Sequence, residues 1–252
     1  MTQQEALFKY ILRLGDNALI HSHRLSEWCS NAPFLEEDLA LTNLALDMIG
    51  RAQALLQYAG SVEGKGRTED TLAYRRSERQ YYNNLLVELP NTDFAYTIAR
   101  LLFVSAFEKE YYAALQNSAD STLAAIAAKT LKEIKYHFAH AHDWVVRLGM
   151  GTEESKQRVQ NAVNDWWMYT SELFEMDETD EQLVKDGIVP DLKALYPAWL
   201  QAVTDTLKAA SLDVPVSGYM QTGSRKGIHT EHLGHLLSEM QYLQRAYPDA
   251  EW

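Results

Sequence analysis

Histidines and carboxylates are the side chains of this sequence best suited to holding a redox metal, and it contains 8 His and 35 Asp plus Glu. An iron pair inside a helical bundle needs two lone carboxylates and two Glu-x-x-His pairs. Residues i and i+3 share a helix face, so one acid and one imidazole reach the same metal pair. The residues three before the histidines are, in chain order, Ala18, Ile20, Ile134, His137, Ala139, Lys226, His229 and His232. None is acidic, so the motif is absent.

Individual residues offer less. His137 lies on an apolar stripe where a metal ligand would sit, but Ile134 cannot ligate and Glu133 is rotated by about 100°. A buried histidine hydrogen-bonded to another helix is the reading preferred to a metal ligand. Glu108, on a largely apolar face, is expected to partner a buried polar group or lie where subunits touch. His229, His232 and His235 spread over about 120° of helix and cannot converge on one ion. They are read as an ordinary helix start capped by Thr230 or its loop. Gly223-x-x-x-Gly227 lacks the preceding strand of a nucleotide-binding motif, and no Gly-x-Ser-x-Gly elbow occurs. Cys29 has no histidine near it in sequence and is expected in the core.

Apolar periodicity predicts the helices that would position these residues. They span about 5–28, 35–59, 70–88, 92–116, 121–148, 152–174, 191–210 and 229–246, by the spacing rule. The fourth long one carries the cleanest stripe, Leu123, Ile126, Ala127, Leu131, Ile134, His137, Phe138, Ala141, Val145 and Leu148. Pro33, Pro90 and the Gly60, Gly64 and Gly66 cluster mark breaks, and an acidic run from Glu172 to Glu181 ends helix 152–174. Two hairpins of long helices joined by one long crossover is the connectivity of a ferritin-like bundle; a cytokine-type bundle needs two. The expected fold is all-α, a ferritin-like four-helix bundle with one long crossover and additional C-terminal helices. Without a repeat or linker, 1–252 is expected to be a single domain.

Bulk properties agree. Glycine (12) and proline (6) are scarce, favouring long helices over turn-rich β architecture. A net charge of −12 disfavours nucleic acid and anionic lipid as partners. No window approaches the roughly 18 apolar residues of a membrane span. The N-terminus, MTQQEALFKYILRLGD, lacks the pattern of a signal peptide, and a single cysteine fits a reducing compartment, so a cytoplasmic address is expected.

Several stretches carry a resemblance: Arg13-Leu-Gly-Asp16-Asn17, Ala32-Pro-x-Leu-Glu36, Leu46-Asp47-x-x-Gly50, Ser77-Glu-Arg-Gln80, Lys135-Tyr-His137, Gly227-x-His-Thr-Glu-His-Leu-Gly234 and Glu239-Met-Gln-Tyr-Leu-Gln-Arg245. From end to end the chain resembles the structural C subunits of phenylacetyl-coenzyme A epoxidase. The resemblance implies a multicomponent monooxygenase in which a related subunit holds the di-iron centre and a reductase supplies electrons. This chain would pair with that catalytic subunit, binding no cofactor and holding no catalytic residue. Laid on the catalytic pattern, the first Glu-x-x-His falls on Met48 and Arg51. The second falls on Ile134 and His137, and a helix-three carboxylate on Ser105. The helix-one ligand falls near Ala18 or His21. Met48 and Ile134 would turn a charged cavity into packed core, and an inward Arg51 would repel Fe²⁺.

Coenzyme A carries phosphates, so local basic clusters become candidates for phenylacetyl-coenzyme A binding at the interface between subunits. These are Arg75, Arg76 and Arg79 with Gln80, and Arg225 with Lys226 before a helix N-terminus. Intramolecular pairing with acids, or docking of a partner chain, is the plainer expectation for both. Trp166, Trp167, Tyr169 and Phe174 are expected either to anchor an interface or to pack on the bundle. Two other functions compete with the scaffold. One is an active di-iron oxidase using His137, Glu108 and Glu133, and the other is a free-standing acyl-coenzyme A binding module.

Overall fold

The computed structural model describes residues 1–216, 218–248 and 250. No strand occurs among them, and the helices are long where the apolar period is sustained. The four longest are α1 (Gln3–Ser26), α2 (Leu35–Glu63), and, after the crossover, α5 (Phe94–Leu115) and α6 (Ser121–Gly149). Short segments fill the crossover: α3 (Glu69–Tyr74), a 3₁₀ turn at Glu78–Gln80 and α4 (Leu85–Glu88). After α6 come α7 (Glu153–Trp167), a 3₁₀ turn at Thr170–Phe174, α8 (Glu178–Lys185) and α9 (Leu192–Ala209). A last 3₁₀ turn, Ser224–Lys226, precedes α10 (Glu231–Met240) and α11 (Tyr242–Ala246). The all-helical content and this order of long helices agree with a ferritin-like helical bundle.

The chain forms two compact units, one of residues 1–31, 38–90 and 223–252, the other of 32–37 and 91–222. In the first, Thr2 and Glu5 close a capping box on α1, whose Tyr10, Ile11, Ala18 and Leu25 are buried. α1 and α2 approach closely at Gly15, where a Cβ would lie 2.8 Å from a methyl of Leu56. In the second unit, Asp93 caps α5 and Asp120 caps α6. The α6 stripe is buried at Leu123, Ala127, Ile134, His137, Ala141 and Val145, whereas Phe138 is only half-buried. Trp199 of α9 is buried and donates its indole N–H to the Phe103 carbonyl of α5 at 3.0 Å. Trp167 stacks at a tilt on Trp199, and Phe174 meets Trp199 edge to face. Trp166 donates to the Tyr96 carbonyl at 3.0 Å. These aromatics pack inside the unit, which decides between the two expectations held for Trp166, Trp167 and Phe174.

Five expectations need correction. The continuous helix over 70–88 is broken into α3, the 3₁₀ turn and α4, because α1 takes the backbone donors it would have used. The Tyr82 N–H donates to Asp16 at 3.0 Å and the Asn84 N–H to Asn17 at 2.8 Å. Helix 152–174 stops at Trp167, and the acidic run holds a separate α8 whose N-terminus is closed by the Asp177–Asp180 capping box. The last helix breaks at Gln241, whose buried amide donates to the carbonyls of Ala73 and Arg76 and to the Tyr81 hydroxyl. Cys29 is exposed. It sits in the turns beyond the last residue of α1, past Leu25, where the buried periodicity ends. Gly60 remains inside α2, and the chain turns at Gly64 instead.

Candidate functional site

The positions that the resemblance sets against the two Glu-x-x-His pairs and the helix-three carboxylate are all buried, and of these five only His137 is suited to iron; Ala18 and His21, the helix-one candidates, are buried as well. On α2, Met48 is 1% and Arg51 5% exposed. On α5, Ser105 is buried and its hydroxyl is turned back to the Leu101 carbonyl at 2.6 Å. On α6, Ile134 is fully buried and His137 lies one turn further along the same face. A methionine thioether, an isoleucine and a guanidinium supply no bridging oxygen, so this residue set does not fit a carboxylate-bridged di-iron pair. Glu108 is buried and Glu133 half-buried. Among the described residues, no three of His, Cys, Asp and Glu are grouped so that they could hold a metal ion.

The first unit uses its buried charges to hold backbone together. Arg76 of the crossover is 3% exposed and forms an ion pair with Asp16 of α1. Its guanidinium also donates to the carbonyls of Leu72 at 2.5 Å and Gln80 at 2.7 Å and lies over the Tyr81 ring. Burial pushes the Tyr81 phenol well up from its ordinary value. Arg24 donates to the Glu88 carbonyl from Nε at 2.9 Å and Nη2 at 2.7 Å.

A second network escaped the sequence reasoning. The Glu88 carboxylate, fully buried, accepts from the Asn83 amide at 2.8 Å and the Thr230 N–H at 2.6 Å, and lies 2.7 Å from His229 Nδ1. His229 Nε2 lies 2.8 Å from the Tyr81 carbonyl. A carbonyl only accepts, so Nε2 carries hydrogen. Thr230 is the N-cap residue of α10, as expected, but the carboxylate of Glu88 satisfies the backbone there, not the threonine hydroxyl. No local pattern reveals a pair 141 residues apart. In the second unit, His140 of α6 pairs with Glu37 at 3.1 Å. Burial holds this imidazole below its ordinary value despite Glu37 pulling the other way.

The candidate phosphate ligands separate by environment. Arg76 is consumed by Asp16, whereas Arg75, Arg79, Gln80 and Lys226 are exposed and Arg225 is half-buried. Arg75 reaches the Pro248 carbonyl at 2.8 Å, and the Gln80 side chain accepts from the Ser77 N–H at 2.8 Å. The two basic segments come together at Gly227, which has φ +65° and abuts the Arg79 carbonyl so closely that a Cβ would overlap it. Only glycine satisfies both demands.

The chain is 49% identical over 246 residues to the C subunit of the 1,2-phenylacetyl-CoA epoxidase of Escherichia coli strain K12, covering 98% of this chain and 99% of that protein. The sequence profile of the family described as phenylacetic acid catabolic protein matches residues 1–252. With the match running over its whole length, this chain belongs to the phenylacetic acid catabolic protein family.

Proposed function

We propose that this chain is a non-catalytic structural subunit of a cytoplasmic phenylacetyl-coenzyme A epoxidase, pairing with a homologous di-iron subunit in aerobic phenylacetate catabolism. Family membership and a relative named as the C subunit of such an epoxidase support the assignment. One observation supports the non-catalytic role above all: Met48, Arg51, Ser105 and Ile134 occupy the aligned ligand positions and are all buried. Their neighbours cannot be replaced by solvent or by an outside ligand without repacking a dense interior.

In this reading the catalytic partner supplies oxygen activation, and this chain supplies a rigid helical support. Exposed Arg75, Arg79, Gln80 and Lys226, with Arg225 beside them, are the groups proposed to steady a coenzyme A phosphate where the subunits meet. Arg76 drops out of that set, because moving it would strand the Asp16 carboxylate in the interior.

Metal analysis tests the proposal. The purified chain should hold well under one equivalent of iron both alone and after co-expression with the catalytic homologue, and the iron of the complex should follow the homologue. About two equivalents of iron in the isolated chain, lost in His137→Ala, would establish the competing di-iron oxidase. Tight binding of an acyl-coenzyme A by the isolated chain would instead favour a free-standing binding module.

A further inference from the structure

Residues 32–37 belong to the second unit, whereas the chain on either side of them belongs to the first. Little holds so short a segment. Residues 33–36 are all exposed, Leu35 at 70%, and Glu37 is the only buried member. Two of its side chains reach α6. Phe34 lies 5.7 Å from the ring of Trp144, which Phe94 meets edge to face at 5.0 Å and the Arg147 guanidinium overlies at 5.3 Å. One turn away on α6, His140 faces Glu37 at 3.1 Å.

The contact between Glu37 and His140 is a poor one. The two side chains are only 9% and 10% exposed, yet the Oε2 and Nε2 atoms that meet there make no hydrogen bond among the described residues. A buried polar group without a hydrogen bond carries its desolvation cost in full. A neutral imidazole gains little from a carboxylate it does not align with. The apolar contribution of Phe34 is partial as well, since its side chain stays 45% exposed.

We infer that residues 32–37 are a strap, closed on α6 by Phe34 and Glu37, which opens far more often than the rest of α2 and more often still once His140 is protonated. Opening returns the Glu37 carboxylate and the His140 ring to water and bares Trp144. It sacrifices one partly exposed aromatic contact and the bond from the Glu37 N–H to the Phe34 carbonyl in the first turn of α2. The proton coupling follows from what surrounds the ring. Glu37 and Asp143 draw a proton to His140, Arg147 repels one, and the Tyr136 ring lies alongside at 6.0 Å. Burial outweighs the two acids and holds the imidazole below its ordinary value, so the open form takes up a proton more readily than the closed one.

Hydrogen exchange of the full chain, followed by mass spectrometry, reads the opening at the α2 amides 37–41, with amides 44–56 of the same helix as reference. A global change in stability moves both sets and cancels in their ratio. At pH 7 the first set should exchange at least about tenfold faster than the reference. Glu37→Leu removes the buried carboxylate and should slow the first set by about tenfold, whereas Phe34→Ala should speed it by about fivefold. Ordinary fraying of a helix end predicts the opposite sign for Glu37→Leu, because an acid in the first turn favours the helix. Between about pH 7 and about pH 5.5, opening of the wild type should rise by about threefold or more after correction for the intrinsic rate, and His140→Gln should abolish that rise. Exchange at 37–41 as slow as at the reference, or not slowed by Glu37→Leu, overturns the strap. A rise that survives in His140→Gln overturns the proton coupling.

Discussion

His229 reaches Glu88 with one ring nitrogen, at 2.7 Å, and the Tyr81 carbonyl with the other, at 2.8 Å. One imidazole thereby ties the end of the crossover to the start of α10, and Glu88 closes the arrangement by accepting the Thr230 N–H. Removal of the ring strands a carboxylate that has no access to water. His229→Ala is expected to cost about 3–5 kcal/mol, read as a lower denaturant midpoint at unchanged slope. Glu88→Gln should cost less. Its amide can donate to the Nδ1 of a neutral ring, and the Asn83 amide can turn its buried, unpaired Oδ1 toward the new donor. Equal losses in the two variants would contradict this account.

Two depressed histidines set a pH dependence. His23 is held below the ordinary 6.5 by burial first and by Arg24 second. His140 is held below 6.5 by burial first, with Arg147 adding to it and with Glu37 and Asp143 opposing. The unfolded chain binds protons at the ordinary value, and the folded chain only at lower pH. Their contribution to stability is therefore complete above the unfolded value and is lost as pH falls through the window below it. The melting temperature should drop between about pH 7 and about pH 5, and His23→Gln should flatten that drop. An unaltered slope in His23→Gln would remove this residue from the explanation.

The arginines of the crossover divide into structural and exposed, and mutation should separate them. Arg76→Ala leaves Asp16 unpaired in the interior and is expected to destabilise by about 3–5 kcal/mol. Arg79→Ala and Lys226→Ala touch no buried partner and should stay within about 0.5 kcal/mol of wild type. In the assembled epoxidase the same two variants should raise KM for the coenzyme A ester at unchanged kcat, the signature of lost uniform binding. An unchanged KM would remove the proposed phosphate role.

Much of the scaffold was legible in the sequence because a sustained 3.6-residue period over more than 20 positions has few alternatives. The stripe from Leu123 to Val145 belongs to that class. The crossover was not legible. Its Arg- and Tyr-rich segment has helical spacing, but Asp16 and Asn17, 66 and 67 residues earlier in the chain, take the N–H groups of Tyr82 and Asn84. Local propensity has no access to such competitors. Of the ligand positions, the missing Glu-x-x-His pairs required only counting residues along a helix. The Glu88–His229 and Glu37–His140 pairs required the fold itself, since each joins distant segments through a single atom pair.

Ile134→Glu tests the non-catalytic reading proposed above, because it places an acid one turn before His137, the spacing an iron ligand pair requires. Ile134 is fully buried, so the new carboxylate enters an interior packed around an apolar side chain. Burying an unpaired charge should cost about 3 kcal/mol or more, lowering the melting temperature by roughly 6–12 °C. Iron should remain below one equivalent per chain, since the other pair of positions still holds Met48 and Arg51 and the helix-three position still holds Ser105. Differential scanning calorimetry and metal analysis on the same sample read both outcomes. A variant that melts like wild type, or binds two irons, would show that the interior around Ile134 accepts charge and that a single residue separates this chain from a metal centre.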